Sequence, residues 1–156
     1  MAALALFVGT SANAGNVVDE LTNATIGVSG NTYQETTGIT VSSDAVYSAQ
    51  SAGGNNAIQL RSNNSNSGIV TTASGGKLVS VTIAFNSNTN AQRVVSIYGK
   101  NEAYSAPSDL YGEATQGDLL GEVGMSDENM TVTVEGDYTF LDCAQRAVLS
   151  TSTRLL

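Results

Sequence analysis

Apolar and polar residues alternate over several short stretches of the chain, as they do in β-strands with one buried face. The clearest stretch is residues 78–85, where Val79, Val81, Ile83 and Phe85 share one face and polar or small residues occupy the other. With the β-branched and aromatic runs elsewhere, the pattern predicts strands at residues 25–29, 38–42, 57–61, 68–72, 77–86, 93–100, 119–123, 130–135 and 138–141.

Glycine- and asparagine-rich turns separate these strands, for example at residues 53–56 (GGNN) and 74–76 (SGG). Many short strands at this spacing predict an all-β protein, an antiparallel β-sandwich of jelly-roll-like form, with a barrel as the alternative. Residues 17–25 fit a short helix or a first strand. Residues 101–117 predict a long ordered loop, which is either a binding site or a plain crossover between the two sheets.

Residues 1–14, MAALALFVGTSANA, join a short apolar run to an Ala-x-Ala site that ends at Ala14. This pattern is typical of an export signal peptide or its remnant, although no positive residue precedes the run. The run is too short to span a bilayer. Processing there would leave a mature chain that starts near Gly15 and is secreted or held at the cell surface. The alternative is a buried N-terminal helix or strand.

The composition excludes several kinds of chemistry. Histidine is absent, which removes the commonest general base, the commonest zinc ligand and every Ser–His–Asp or Cys–His site. Because Cys143 is the single cysteine, the chain forms no internal disulfide. The scattered acidic residues show no spacing that singles out a glycosidase pair, so we expect no catalytic residues and no enzyme activity.

The charge of the chain bears on its partners. A net charge of −8 with only six Lys and Arg argues against nucleic acid and anionic membranes as partners. Calcium is a better metal candidate than zinc, since the Asn-rich loops at residues 63–66 and 86–90 offer oxygen ligands. Neither loop contains an acid, however, and ordinary asparagine turns account for both. We therefore assign no metal-ligating residues and no cofactor.

The long loop and its surroundings supply the candidate ligand-binding residues. Sugar sites combine aromatic faces with planar polar groups. The candidates are three tyrosines and four polar residues: Tyr98, Tyr104, Tyr111, Asn101, Asp109, Arg61 and Asn88. The alternative is that the tyrosines are half-buried sheet residues whose hydroxyls reach water.

Several longer runs carry a family resemblance, among them residues 51–62 (SAGGNNAIQLRS), 67–77 (SGIVTTASGGK) and 103–111 (AYSAPSDLY). From about residue 19 to residue 141 the chain resembles β-sandwich accessory modules of secreted and surface proteins of gut bacteria. The resemblance implies one β-sandwich domain over residues 15–141, standing beside other extracellular domains. It implies no catalytic residues.

The resemblance ends at Leu141. The family continues with a turn and a closing strand, Gly-Leu-Arg-Ser-x-Ser-Gly-Ala-x-Tyr-Leu-Asp-Glu-Ile, whereas residues 142–156 read DCAQRAVLSTSTRLL. Permitted codons for this tail, read in another frame, spell Leu-Arg-Ser-Lys-Ser-Gly-Ala-Leu-Tyr-Leu-Asp-Glu-Ile. We therefore predict that residues 142–156 are a frameshifted, non-native tail and that the closing C-terminal strand is missing. The alternative is a tail that has genuinely diverged.

Taken together, the residues and the resemblance predict a non-catalytic extracellular accessory module that binds a carbohydrate. The alternative is a structural or adhesive spacer whose partner is another extracellular protein.

Overall fold

The computed structural model describes residues 2–12 and 15–146 of the chain. These residues form antiparallel strands joined by turns and two short 3-10 segments, Gly54–Asn56 and Pro107–Tyr111. The strands are β1 (Ala2–Ala12), β2 (Gly15–Leu21), β3 (Gly30–Ile39), β4 (Val46–Gly53), β5 (Ile58–Leu60), β6 (Gly68–Ala73), β7 (Lys77–Phe85), β8 (Val94–Lys100), β9 (Asp118–Gly124), β10 (Thr131–Thr133) and β11 (Phe140–Arg146). The predicted all-β fold is confirmed. Within the described ranges, no helix has the length and apolar character needed to cross a membrane.

The strands form one continuous, nearly closed sheet around an apolar core. Its order is β10-β7-β1-β5-β4-β6-β11-β8-β9, with β2 also paired to β1 and β3 also paired to β4. The path turns from one layer to the other at β4, which pairs with β5 at Ala52 and Gln59 and with β6 from Val46 to Gln50. Side chains from both layers fill the space between them.

The most clearly predicted strand, β7, differs from the prediction at its start. A bulge next to Gly9 of β1 leaves Val79 without a partner on β1. Because a bulge shifts the alternation of side chains, Leu78 joins Val81 and Ile83 in the core, whereas Val79 is only half-buried.

β1 occupies a central position in the sheet. It pairs with β7 from Leu4 to Ser11, and its other edge pairs with β2 and β5. Leu4, Leu6 and Val8 point alternately into the core and are almost fully buried. The segment predicted to be the apolar part of an export signal is therefore a buried strand, which is the alternative named above. Residue 14 lies outside the described residues, and processing there stays a prediction.

Two predicted strands are wrong in place or extent, and one strand was missed. Residues 25–29 form a turn, in which the N–H of Ile26 donates to the carbonyl oxygen of Thr22 at 3.0 Å. The prediction at residues 38–42 covers only the end of β3, which stops at Ile39. β4 was missed because its sequence, VYSAQSAG, is rich in small residues that do not signal a strand.

The first residues of the predicted non-native tail belong to the sheet. β11 continues from Phe140 to Arg146 and pairs with β6 and β8. Leu141 and Cys143 point into the main core, and residues 142–145 are buried. The strand thus runs past the predicted domain boundary at residue 141, and the assignment of residues 142–156 as a non-native tail stays a prediction. Residues 147–156, where the closing strand was expected to be missing, lie outside the described residues.

Asp19 ties β2 to the turn that precedes β4. Its buried carboxylate accepts the backbone N–H groups of Ser42 and Ser43 at 2.9 and 2.7 Å, and the hydroxyls of Ser43 and Tyr47 at 2.5 and 2.6 Å. Burial disfavours the charged carboxylate, but these donors outweigh that cost and lower the pKa of Asp19. The charged form is therefore the one the fold stabilises.

The position of β1 gives a first testable prediction. A chain that starts at Gly15 lacks β1, so it leaves β7 without its main partner and uncovers core residues. We expect it to show no cooperative thermal unfolding by circular dichroism, in contrast to the full chain. Equal melting of the two chains would mean that β1 is dispensable, as an export signal should be.

The second prediction concerns pH. We expect Asp19→Ala to lower the free energy of unfolding by about 3 kcal/mol and Asp19→Asn by about 1–2 kcal/mol at neutral pH, since charged hydrogen bonds are lost or weakened. The folded pKa lies below the unfolded value of 3.8. The contribution of Asp19 is therefore complete above that value and is lost as the pH falls through the folded pKa.

Urea titrations between pH 2 and 7 measure this contribution. The wild-type chain should lose more stability below pH 4 than Asp19→Asn does. Asp137→Asn is the matched control, because the exposed carboxylate of Asp137 pairs only with Lys77 and should matter little. A wild-type chain and an Asp19→Asn variant with parallel pH profiles would contradict the assignment.

Candidate functional site

The predicted loop at residues 101–117 joins β8 to β9, which are neighbours in the sheet, so it is not a crossover between layers. Its 3-10 segment, Pro107–Tyr111, contacts β6 and β11. There Leu110 packs with Tyr98 and Ala144 in a small apolar cluster separate from the main core. The loop therefore covers the outer face of the sheet.

The three candidate tyrosines are used by the fold. Tyr104 is 1% exposed, and its hydroxyl donates to the carbonyl oxygen of Gln116 at 2.6 Å. The ammonium of Lys100 lies 4.1 Å from the centre of its ring. Burial, followed by the charge of Asp142, raises the pKa of Tyr104. A ring enclosed in this way offers no face for a sugar.

Tyr98 and Tyr111 are also turned toward the protein. Tyr98 is 7% exposed, and Tyr111 is half-buried. The hydroxyl of Tyr111 donates to the carbonyl oxygen of Ser67 at 2.7 Å. The structure thus places the three tyrosines in contacts within the protein, and the hydroxyls of Tyr104 and Tyr111 bond carbonyl oxygens, whereas the alternative had expected them to reach water. Their role in ligand binding stays a prediction.

The remaining polar candidates lie apart from one another. Asn101 is exposed and accepts a hydrogen bond from the hydroxyl of Thr139 at 3.1 Å. Asp109 accepts the N–H of Ser105 at 2.7 Å, inside the long loop. Asn88 is exposed on the turn between β7 and β8. None of them lines a cavity with Arg61 in the part of the chain that the structure describes.

Arg61 instead lines a polar cavity, which we call the arginine cavity, with Ser62, Asn63 and Arg93. The cavity has a volume of about 470 Å³. This is within the range of roughly 300–1,000 Å³ found for ligand sites. Arg61 directly follows β5, and Arg93 directly precedes β8. The two arginines thus come from loops at the ends of separate strands.

Arg61 is held in place through its backbone and through its guanidinium group. Its N–H donates to the hydroxyl of Ser67 at 2.8 Å, which closes the loop from residue 61 to residue 67. Its guanidinium carbon lies 4.6 Å from the ring centre of Tyr33 on β3. Ser67 is fully buried and also accepts the Tyr111 hydroxyl. Tyr111 therefore supports the loop that carries Arg61.

Arg93 is held through its backbone. Its N–H donates to the carbonyl oxygen of Asn90 at 3.0 Å, and its carbonyl oxygen accepts the N–H of Met125 at 2.9 Å. Its Nε atom is buried and has no hydrogen-bond partner among the described residues. An unsatisfied buried donor is uncommon in proteins and calls for an explanation.

The arginine cavity also stands out by its charge. Its lining includes two of the six basic residues of the chain, and none of its described lining residues is acidic. Among the described side chains, an ion pair is seen between Lys77 and Asp137 and none is seen at Arg61 or Arg93. Within the part of the chain that the structure describes, the two guanidinium groups are therefore not paired with a carboxylate.

A smaller polar cleft of about 140 Å³ lies beside the long loop. It is lined by Glu35, Gln50, Asn66, Ala106, Pro107 and Ser108. Its polar groups are of the kinds that bind sugar hydroxyls, but it is less than a third the volume of the arginine cavity.

The Asn-rich loop at residues 86–90 is closed by its own hydrogen bonds. The side-chain oxygen of Asn86 accepts the N–H of Asn88 at 3.0 Å, and that of Asn90 accepts the N–H of Gln92 at 2.9 Å. No group of three or more acidic, histidine or cysteine residues is placed to hold a metal ion within the described part of the chain. Burial raises the pKa of the Cys143 thiol well above its usual range, so Cys143 is a small core residue and not a thiolate.

Sequence reasoning found Arg61 but missed Arg93, Ser62 and Asn63. The one usable signal was the scarcity of basic residues, together with the place of Arg61 at the end and Arg93 at the start of a predicted strand. No family model matches this chain, and no curated protein or solved structure is significantly similar to it. The resemblance to bacterial accessory modules stays a prediction.

The support of Arg61 by Tyr111 can be tested. We expect Tyr111→Phe to lower the free energy of unfolding by about 1 kcal/mol, the usual value of one hydrogen bond. It should also speed amide hydrogen exchange at Arg61, whose N–H depends on the position of Ser67. Tyr138→Phe is the matched control, because it removes an exposed tyrosine hydroxyl that bonds Asp118. Unchanged exchange at Arg61 in Tyr111→Phe would contradict this support.

Proposed function

We propose that this protein is a non-catalytic extracellular accessory module that binds a carbohydrate in the arginine cavity. The observation that carries the proposal is a cavity of about 470 Å³ whose described lining residues are all of polar types: Arg61, Ser62, Asn63 and Arg93. Guanidinium, amide and hydroxyl groups together supply the directional donors and acceptors that sugar hydroxyls require.

The location of the cavity supports binding without catalysis. Loops on a rigid sheet are a common place for ligand sites, because the sheet fixes the ends of each loop. Here Ser67 fixes one loop and Met125 fixes the other. The lining residues that the structure describes carry no carboxylate, thiol or imidazole that could act as a general acid, base or nucleophile.

A structural or adhesive role is the second candidate. β3 is mostly exposed and pairs only with β4 among the described strands, so one of its edges is open. An open edge can take up an extended segment of another protein by continuing the sheet. This favours a protein partner over a glycan at that side of the molecule.

A glycan array tests the first candidate. We expect the full chain to bind a limited set of glycans, and Arg93→Gln to weaken that binding at least tenfold because a charged hydrogen-bond donor is lost. Lys77→Gln is the matched control, since it removes the same charge at an exposed site. A folded chain that binds no glycan, or one whose binding is equal in Arg93→Gln, would overturn the proposal and favour the protein-contact role.

A further inference from the structure

We infer that the sugar held in the arginine cavity carries one anionic group, a carboxylate or a sulfate, on an otherwise uncharged saccharide. This inference rests on the proposed function and adds the chemical class of the ligand. Its central observation is the combination of two features: the buried Nε of Arg93, which has no hydrogen-bond partner among the described residues, and a second arginine in the same cavity that pairs with no described carboxylate.

The chemistry of the guanidinium group explains why an anion fits. The Nε–H and one terminal N–H of an arginine point in the same direction and match the two oxygens of a carboxylate or a sulfate. In Arg93 the Nε–H is shielded from water and bonds no described residue. Because the Nε atom is closed to solvent in this conformation, the side chain has to turn toward the cavity before two oxygens of a ligand can satisfy this donor and neutralise the group.

Arg61 would bind the ligand from the other loop that lines the cavity. Stacking on Tyr33 at 4.6 Å restricts the plane of its guanidinium. A restricted group loses less conformational freedom when a ligand binds. Ser62 and Asn63 lie beside it and carry no charge, so they suit the hydroxyl groups of a sugar ring.

The charge of the whole chain favours one anionic group over many. A net charge of −8 repels a polyanion at long range. At physiological ionic strength screening acts over about 8 Å, so an isolated anion inside the cavity responds mainly to the two nearby arginines. A single acidic sugar therefore suits the site better than a densely charged polymer.

Nuclear magnetic resonance can observe the Nε–H group of Arg93 directly. The probe is sodium glucuronate, with methyl glucuronate and glucose as uncharged controls. We expect glucuronate to shift the Arg93 Nε–H signal in a saturable way, with affinity at least tenfold higher than either control. Glucose 6-sulfate replaces the carboxylate with a sulfate, and a stronger shift with one of the two identifies which anion the site takes.

Variants of the full chain complete the test. Arg93→Lys keeps the charge but lacks the planar pair of donors, so we expect it to lose at least threefold in affinity for glucuronate, and Arg93→Gln at least tenfold. Lys77→Gln should bind glucuronate as the wild type does. Equal affinity for glucuronate and its methyl ester in the wild type would overturn the inference.

The results of these experiments distinguish a failure of the inference from a failure of the proposed function. If Arg93-dependent glycan binding is found on the array but the charged and uncharged sugars bind equally, the anion is wrong and the carbohydrate function stands. If acetate binds as tightly as glucuronate, or a poly-glutamate peptide binds more tightly, the site holds a carboxylate without a sugar and both proposals are overturned.

Discussion

The pairing of β1 on both of its edges is the constraint on which the rest of the structure depends. One edge bonds β7, and the other bonds β2 and then β5, so β1 connects three parts of the sheet. Thr89 adds to this pairing, since its hydroxyl accepts the N–H of Ala3 at 3.2 Å and donates to the carbonyl oxygen of Ala3 at 2.9 Å. The turn that leads to Arg93 is thereby fixed to β1. The position of one wall of the arginine cavity therefore depends on this central strand of the sheet.

The other wall depends on a different set of contacts. Tyr111 from the long loop and Arg61 both bond Ser67, which joins the outer covering of the sheet to the cavity. Tyr111, which was expected to touch a ligand, thus acts indirectly by holding the backbone of the loop that carries Arg61. This arrangement also explains how two arginines of an acidic protein can have no carboxylate partner among the residues that the structure describes. Each is held by its backbone or by an aromatic ring, so neither needs an ion pair to be placed.

The sequence predicts strands where apolar and polar residues alternate strongly. It fails where a strand has the composition of another kind of segment. β7 and β8 are found because β-branched residues alternate along them. β1 is an Ala- and Leu-rich run next to small residues, and the same composition is typical of export signals, so its pairing could not be inferred from local pattern. The arginine cavity is harder still to predict from the sequence. Arg61 follows the end of β5 and Arg93 precedes the start of β8. These two residues are far apart in sequence and line one cavity only through the order of the whole sheet.

β11 shows that backbone pairing alone can hold a strand in this sheet. Backbone hydrogen bonding to β6 and β8 needs only an N–H and a carbonyl at each position, whatever the side chain. The core requires apolar groups at alternate positions, and Leu141 and Cys143 meet that requirement, since a thiol packs as a small apolar group. On the opposite face Asp142 is buried near Tyr104, where burial of a carboxylate is costly. β11 therefore keeps the backbone pairing of the sheet and one apolar face, while its other face carries the cost of a buried acid.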